Sequence, residues 1–149
     1  MKILVPIDGS ETSKRAVDFV IELAKKEQEA LQLIVLHHVY SRQEYSFKFL
    51  AGLAGGDLKV HAEDKIKEEV EQWFDEIKKK IDPNKILLST DIVVSSTHTV
   101  PLIVDYAEQE RVDQIVIGSK GRSGISGLVL GSVARGVVTQ ARCPVTVIK

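Results

Sequence analysis

The chain has 149 residues and a mass of 16.5 kDa, is 44% apolar and 28% charged, and has the size of one globular domain spanning residues 1–149. Lys and Arg number 20 against 21 Asp and Glu, so the net charge of -1 gives no support to wholesale electrostatic capture of nucleic acid. A single cysteine, Cys143, excludes an intrachain disulfide and points to the cytoplasm, and no apolar run approaches the roughly 20 residues of a membrane span.

Lys2 to Ile7 is a short apolar run that closes at Asp8-Gly9-Ser10, the pattern of a buried strand ending in a turn. Met1 to Ile7 lacks a secretory pattern, and no leader is expected. Ala16, Val17, Val20, Leu23 and Ala24 recur at helical spacing, with Ser10 or Thr12 as N-cap, and predict a helix to about Lys26. Leu31 to Val39 reads as a second strand. Tyr40 to Val60, where glycines interrupt aromatics, is expected to be a loop or lid. Ile66, Val70, Trp73, Phe74, Ile77 and Ile81 share one stripe of a long helix whose Lys and Glu residues face water.

Asp82-Pro83-Asn84 breaks that helix, and Ile86 to Val94 alternates enough to predict a strand that is less completely buried. Pro101 suits the first turn of a helix ending near Arg111, because proline lacks the N–H that would be unpaired there. Gln114 to Ile117 is a fourth strand, Ser132 to about Gln140 a helix, and Pro144 to Ile148 a fifth strand. Strands alternating with helices predict an α/β fold, a parallel sheet with helices on both faces.

The fourth strand runs into Gly118-Ser119-Lys120-Gly121-Arg122-Ser123-Gly124, and Gly131-Ser132 then opens a helix. Glycine lets a ligand approach the main chain closely, and the first N–H groups of a helix, here those of Ser132, Val133 and Ala134, favour phosphate. The bland alternative is a glycine-rich turn followed by an ordinary cap. Residues 111–149 carry a net charge of +5 and the rest of the chain -6, which suits a small anion site in the last quarter. Neither GxxxxGK[ST] nor GxGxxG is present, which removes support for a P-loop ATPase or a Rossmann dehydrogenase.

What is present is G-x2-G-x9-G-S, at Gly118, Gly121, Gly131 and Ser132, preceded by Val112 to Ile117 and followed by Cys143-Pro144-Val145-Thr146-Val147-Ile148. With the opening Ile3-Leu4-Val5-Pro6-Ile7-Asp8-Gly9-Ser10-Glu11, the chain resembles the universal stress protein family over essentially its whole length. The resemblance implies a single doubly wound domain, a five-stranded parallel sheet of order 3-2-1-4-5, and ATP (or ADP or AMP) as ligand, with Mg or Mn bound through the phosphates. That strand order opens a crevice at the carboxyl ends of the first and fourth strands.

The motif further implies that Gly118, Gly121, Gly131, Ser132 and Val133 hold the triphosphate and ribose, mainly through main-chain N–H groups and the Ser132 hydroxyl. Asp8 is expected to accept from ribose hydroxyls, and Pro6 with the backbone of Val39 to frame adenine. Lys120, Arg122 and Ser123 complete the expected set, the two cations on charge alone. The stretch Ser95-Ser96-Thr97-His98-Thr99-Val100-Pro101 departs from the family's glycine turn followed by proline and an acid.

His37 and His38 point to opposite faces of a strand, His61 and His98 stand alone, and no metal-ligand spacing exists. Structural or solvent histidines are therefore expected, and Cys143 is expected to pack. The last strand, as a sheet edge, is expected to pair with its copy in a symmetric homodimer through Pro144 to Ile148, which the resemblance also implies. Three functional classes follow: a nucleotide-responsive regulatory or stress-survival module, a slow ATPase, and a nucleotide-independent interaction or chaperone-like protein. The intact glycine pattern favours the first. A response-regulator receiver is not supported, since Asp8 lacks an acidic neighbour and the third strand ends in Val93-Val94-Ser95-Ser96.

Overall fold

The computed structural model describes residues 1–41, 57–121 and 130–149, with side chains described from residue 64 onward in the helix that begins at Asp57. The elements in chain order are β1 (Lys2–Pro6), α1 (Glu11–Lys26), β2 (Leu31–Tyr40), α2 (Asp57–Lys80), β3 (Ile86–Ser95), α3 (Thr99–Gln109), β4 (Gln114–Gly118), α4 (Ser132–Gln140) and β5 (Val145–Ile148). Most of the expected loop from Tyr40 to Val60 lies outside the described residues. Tyr40 itself closes β2, and α2 already includes Asp57 to Val60.

Five parallel strands form one sheet of order β3-β2-β1-β4-β5, as the sequence leads one to expect. Its central strands are apolar on both sides because helices cover both faces. On one face Ile3, Val5, Leu33 and Val35 meet Val17 and Val20 of α1 and Phe74 of α2. On the other, Leu4, Ile34 and Leu36 meet Ile103 of α3 and Val137 of α4. β3 is an edge and is only partly buried, in keeping with its weaker apolar pattern.

Local chemistry sets the boundaries. Gly9 has φ of 79°, a left-handed conformation that glycine takes without strain, and it turns the chain from β1 into α1. Ser10 is the N-cap, its Oγ accepting from the Ser13 N–H at 3.3 Å; Thr12 is engaged elsewhere. Pro101 falls in the first turn of α3, where no N–H is missed.

Two expectations about α2 need correction. Its apolar stripe buries Val70, Phe74 and Ile77, but Ile66 is exposed. Trp73, read as core, is half-buried, its ring meeting the His37 ring edge-on at 5.6 Å. An indole at the border of the core keeps a partner for its polar edge while burying most of its area. Cys143 packs partly buried against the α3–α4 side, and burial pushes its thiol pKa up, away from reactivity.

Phe74 is fully buried in the α1–α2 core, so Phe74→Ala should lower the unfolding free energy by about 3–5 kcal/mol. Urea denaturation checks this: the midpoint should fall with the slope unchanged, and an unshifted midpoint would contradict the packing described.

Candidate functional site

β1 feeds α1 on one face of the sheet and β4 feeds α4 on the other, so the chain diverges at the carboxyl ends of these neighbouring strands. A cleft of about 420 Å³ opens there. Pro6, Ile7 and Asp8 enter it from β1, and Ile117 to Gly121 from β4. Leu36 and His38 line its β2 side, Thr99 and Ile103 of α3 close another wall, and Gly131 to Ala134 present the start of α4.

The backbone leaving β4 is tied down on three sides. Ser119 is buried; its N–H donates to Ile148 O at 2.7 Å, and its carbonyl accepts from the Gly131 N–H at 2.8 Å. Thr12 Oγ1 donates to Lys120 O at 2.6 Å and accepts from the Lys120 N–H at 3.3 Å, while Ser10 Oγ donates to the same carbonyl at 3.2 Å. The first turn of α1 therefore grips the loop 108 residues further along the chain.

These contacts explain the glycines. A Cβ at Gly118 would lie 2.6 Å from the Thr12 carbonyl carbon and 2.7 Å from Ser13 N, so this glycine admits the start of α1 against the end of β4. At Gly131 a Cβ would come within 3.2 Å of Ser119 O, and at Gly121 within 3.0 Å of Asp8 Oδ2. Gly131 is therefore pressed against the loop backbone by its own chain.

Gly131 caps α4 with no side chain to offer, and no acid occupies the first turn. The first helical bond is Arg135 N–H to Gly131 O at 2.9 Å, so the N–H groups of Ser132, Val133 and Ala134 precede the ladder. All three residues line the cleft and place the positive end of the helix dipole there. Asp8, whose Oδ1 accepts from the Ser10 N–H at 3.0 Å, is the one carboxylate among the described lining residues. No group of three or more His, Cys, Asp or Glu suited to a metal ion occurs among the described residues. Backbone donors at one end and a single acid suit a polyanionic ligand that brings any divalent cation with it, rather than a cation held by the protein alone.

Of the residues singled out from sequence, Pro6, Asp8, Gly118, Lys120, Gly121, Gly131, Ser132 and Val133 are brought together in this cleft. Arg122 and Ser123 lie outside the described residues. Val39 does not line the cleft; His38 does. In a strand successive side chains alternate, and Leu36 and His38 share the face of β2 that carries Ile34, whereas Val39 turns to the other. His38 Nδ1 lies 3.0 Å from Thr99 Oγ1 and Nε2 3.2 Å from Ser95 Oγ. Burial lowers its pKa, a hydrogen bond from the ring to the Ser95 backbone opposes this, and His37 adds a smaller lowering. His38, Thr99, Ser119 and Thr12 escaped the reading from motifs; only the two-residue period of β2 carried a signal for His38.

Gly118→Ala should destabilise the fold by about 1–3 kcal/mol, because the clash is with backbone that cannot turn away. Thermal denaturation checks this, and an unchanged midpoint would mean the α1–β4 contact is looser than described.

The model of the universal stress protein family matches residues 1–149. Universal stress protein MJ0577 of Methanocaldococcus jannaschii is 34% identical over 99% of this chain and 94% of its own length. Its solved structure superposes with a TM-score of 0.80 at 31% identity, covering 99% of this chain and 94% of that one. Universal stress protein YxiE of Bacillus subtilis is 30% identical over 99% of this chain and 98% of its own. The universal stress protein of Archaeoglobus fulgidus in complex with dAMP has a TM-score of 0.67 at 26% identity, covering 100% and 98% of the two chains. Fold, motif order and whole-length similarity agree: the chain belongs to the universal stress protein family.

Proposed function

We propose that the cleft binds an adenine nucleotide, ATP with ADP or AMP as alternatives, and that the protein acts as a nucleotide-responsive regulatory or stress-survival module. The observation that carries this reading is the uncapped start of α4, whose first three N–H groups share one cleft with Asp8 and the loop that follows β4. The Archaeoglobus relative solved with dAMP supports the ligand class.

In this reading the main-chain N–H groups of Gly121, Ser132 and Val133 and the Ser132 hydroxyl hold phosphate. Gly118 and Gly131 keep the loop close enough to form that seat, and Asp8 accepts from ribose hydroxyls. Pro6 and the backbone of Val39 frame the base, with the His38 ring on the same β2 side of the cleft. Lys120 and Arg122 lend positive charge, and Ser123 a hydroxyl. Mg or Mn travels with the phosphates and balances their charge, and Asp8 is the carboxylate at hand. No described lining residue is set up as both a base for water and a clamp for a leaving phosphate, which favours a binding module over a hydrolase.

The same reading takes residues 1–149 as one domain. It pairs β5, an edge strand, with its copy in a homodimer through Pro144 to Ile148. It places the protein in the cytoplasm on the strength of its single cysteine, with no nucleic acid among its partners. No described helix is long and apolar enough to cross a membrane.

Calorimetric titration of ATP and AMP with magnesium tests the reading. Ser132→Ala should weaken binding roughly ten- to a hundredfold, the loss of one hydrogen bond to a charged oxygen. Unchanged affinity would remove Ser132 from the site. Appearance of ADP over hours would move the reading to a slow ATPase. Absence of any binding would move it to a nucleotide-independent, homodimeric interaction or chaperone-like protein.

A further inference from the structure

The titratable groups among the described lining residues are Asp8, Lys120 and His38, and of these only His38 has an ordinary pKa near neutrality. The ring is half-buried on the β2 side of the cleft, across β1 from the loop that follows β4. Its two nitrogens face the hydroxyls of Thr99 and Ser95, either of which can donate or accept, so a neutral ring is satisfied in both tautomers.

The charged and titratable surroundings give the cation little help. On β2, His37 turns to the opposite face, its Nδ1 2.8 Å from Ile7 O, and Tyr40 stands edge-on at 6.3 Å. On β3, Asp91 accepts from the Tyr106 hydroxyl of α3 at 3.1 Å. From the turn before α3, His98 stacks on Tyr40 at 5.3 Å. Asp8 and Lys120, of opposite charge, share the cleft. Among the described residues no carboxylate hydrogen-bonds the His38 ring.

We infer that the His38 imidazole is a ligand-contacting wall of the cleft and that an adenylate enters against its neutral form, so that binding releases a proton. This rests on the reading of the cleft as an adenylate site. A ligand filling the cleft strips the remaining water from the ring, while the phosphate seat lies toward β4 and α4, away from His38. Desolvation without a counter-charge disfavours the cation further. The ring pKa, already lowered in the free protein, is lower still in the complex. The free protein then binds more protons than the complex, so affinity is complete above the free-state pKa and declines as pH falls through it. A phosphate seated against His38 would give the opposite sign, with proton uptake and tighter binding in acid.

Two measurements test the inference with AMP as the probe. The first follows the His38 ring by NMR from about pH 8 to about pH 5, in the free protein and in the AMP-saturated protein; the midpoint should be lower with AMP. An equal or raised midpoint overturns the inference. The second is calorimetry of the wild type and His38→Gln at both ends of that range. AMP's own phosphate titrates near pH 6 in both titrations, so their difference isolates the ring. The wild type should lose more affinity than the variant on going to about pH 5. Parallel profiles, or tighter wild-type binding in acid, overturn the inference. If AMP binds at no pH, the adenylate reading of the cleft fails; if AMP binds and the ring midpoint does not fall, only the role of His38 fails. The NMR measurement uses the unmodified chain and stands whether or not His38→Gln folds.

Discussion

The site depends on one close approach, that of the first turn of α1 to the backbone leaving β4. Gly118 lets Thr12 and Ser13 come nearer than any Cβ would allow. Thr12 and Ser10 then hold the Lys120 carbonyl, and Ser119 holds the Gly131 N–H. The end of β4 is thereby tied directly to the start of α4. Without this clamp, the α4 amides and Asp8 would belong to separate surface features.

Strand order supplies the rest of the frame. Because β1 and β4 are neighbours whose helices lie on opposite faces, the sheet leaves a gap between their carboxyl ends that no described helix covers. The start of α4 meets that gap with no side-chain cap and no acid in its first turn. An uncapped helix start at a cleft costs hydrogen bonds in the free protein, and an anion seated there would restore them. The excess of positive charge over residues 111–149 points the same way.

Much of this was legible in the sequence, for reasons that particular residues illustrate. The strand runs Lys2 to Pro6 and Gln114 to Gly118 are short, apolar and closed by turn residues, and α1 and α2 carry helical stripes. The spacing of Gly118, Gly121, Gly131 and Ser132 marked the loop and helix start that line the cleft. What escaped is long-range or depends on register. No local pattern links Thr12 to Lys120, and the purpose of Gly118 appears only once α1 is packed against β4. His38 escaped because no motif marks it: its side chain reaches the cleft through the strand's two-residue alternation. Ile66 had the right helical phase, yet it is exposed while Val70, one turn further on, is buried.

The central claim is that the loop after β4 and the start of α4 form one anion seat. Amide chemical-shift mapping of the isotope-labelled protein during titration with AMP tests it most directly, because the proposed contacts are themselves N–H groups. The account predicts that the largest perturbations fall on the amides of residues 118–121 and 131–134, with smaller ones near Asp8 and His38. Perturbations confined to β3 or the exposed face of α2, or none at saturating AMP, would contradict it.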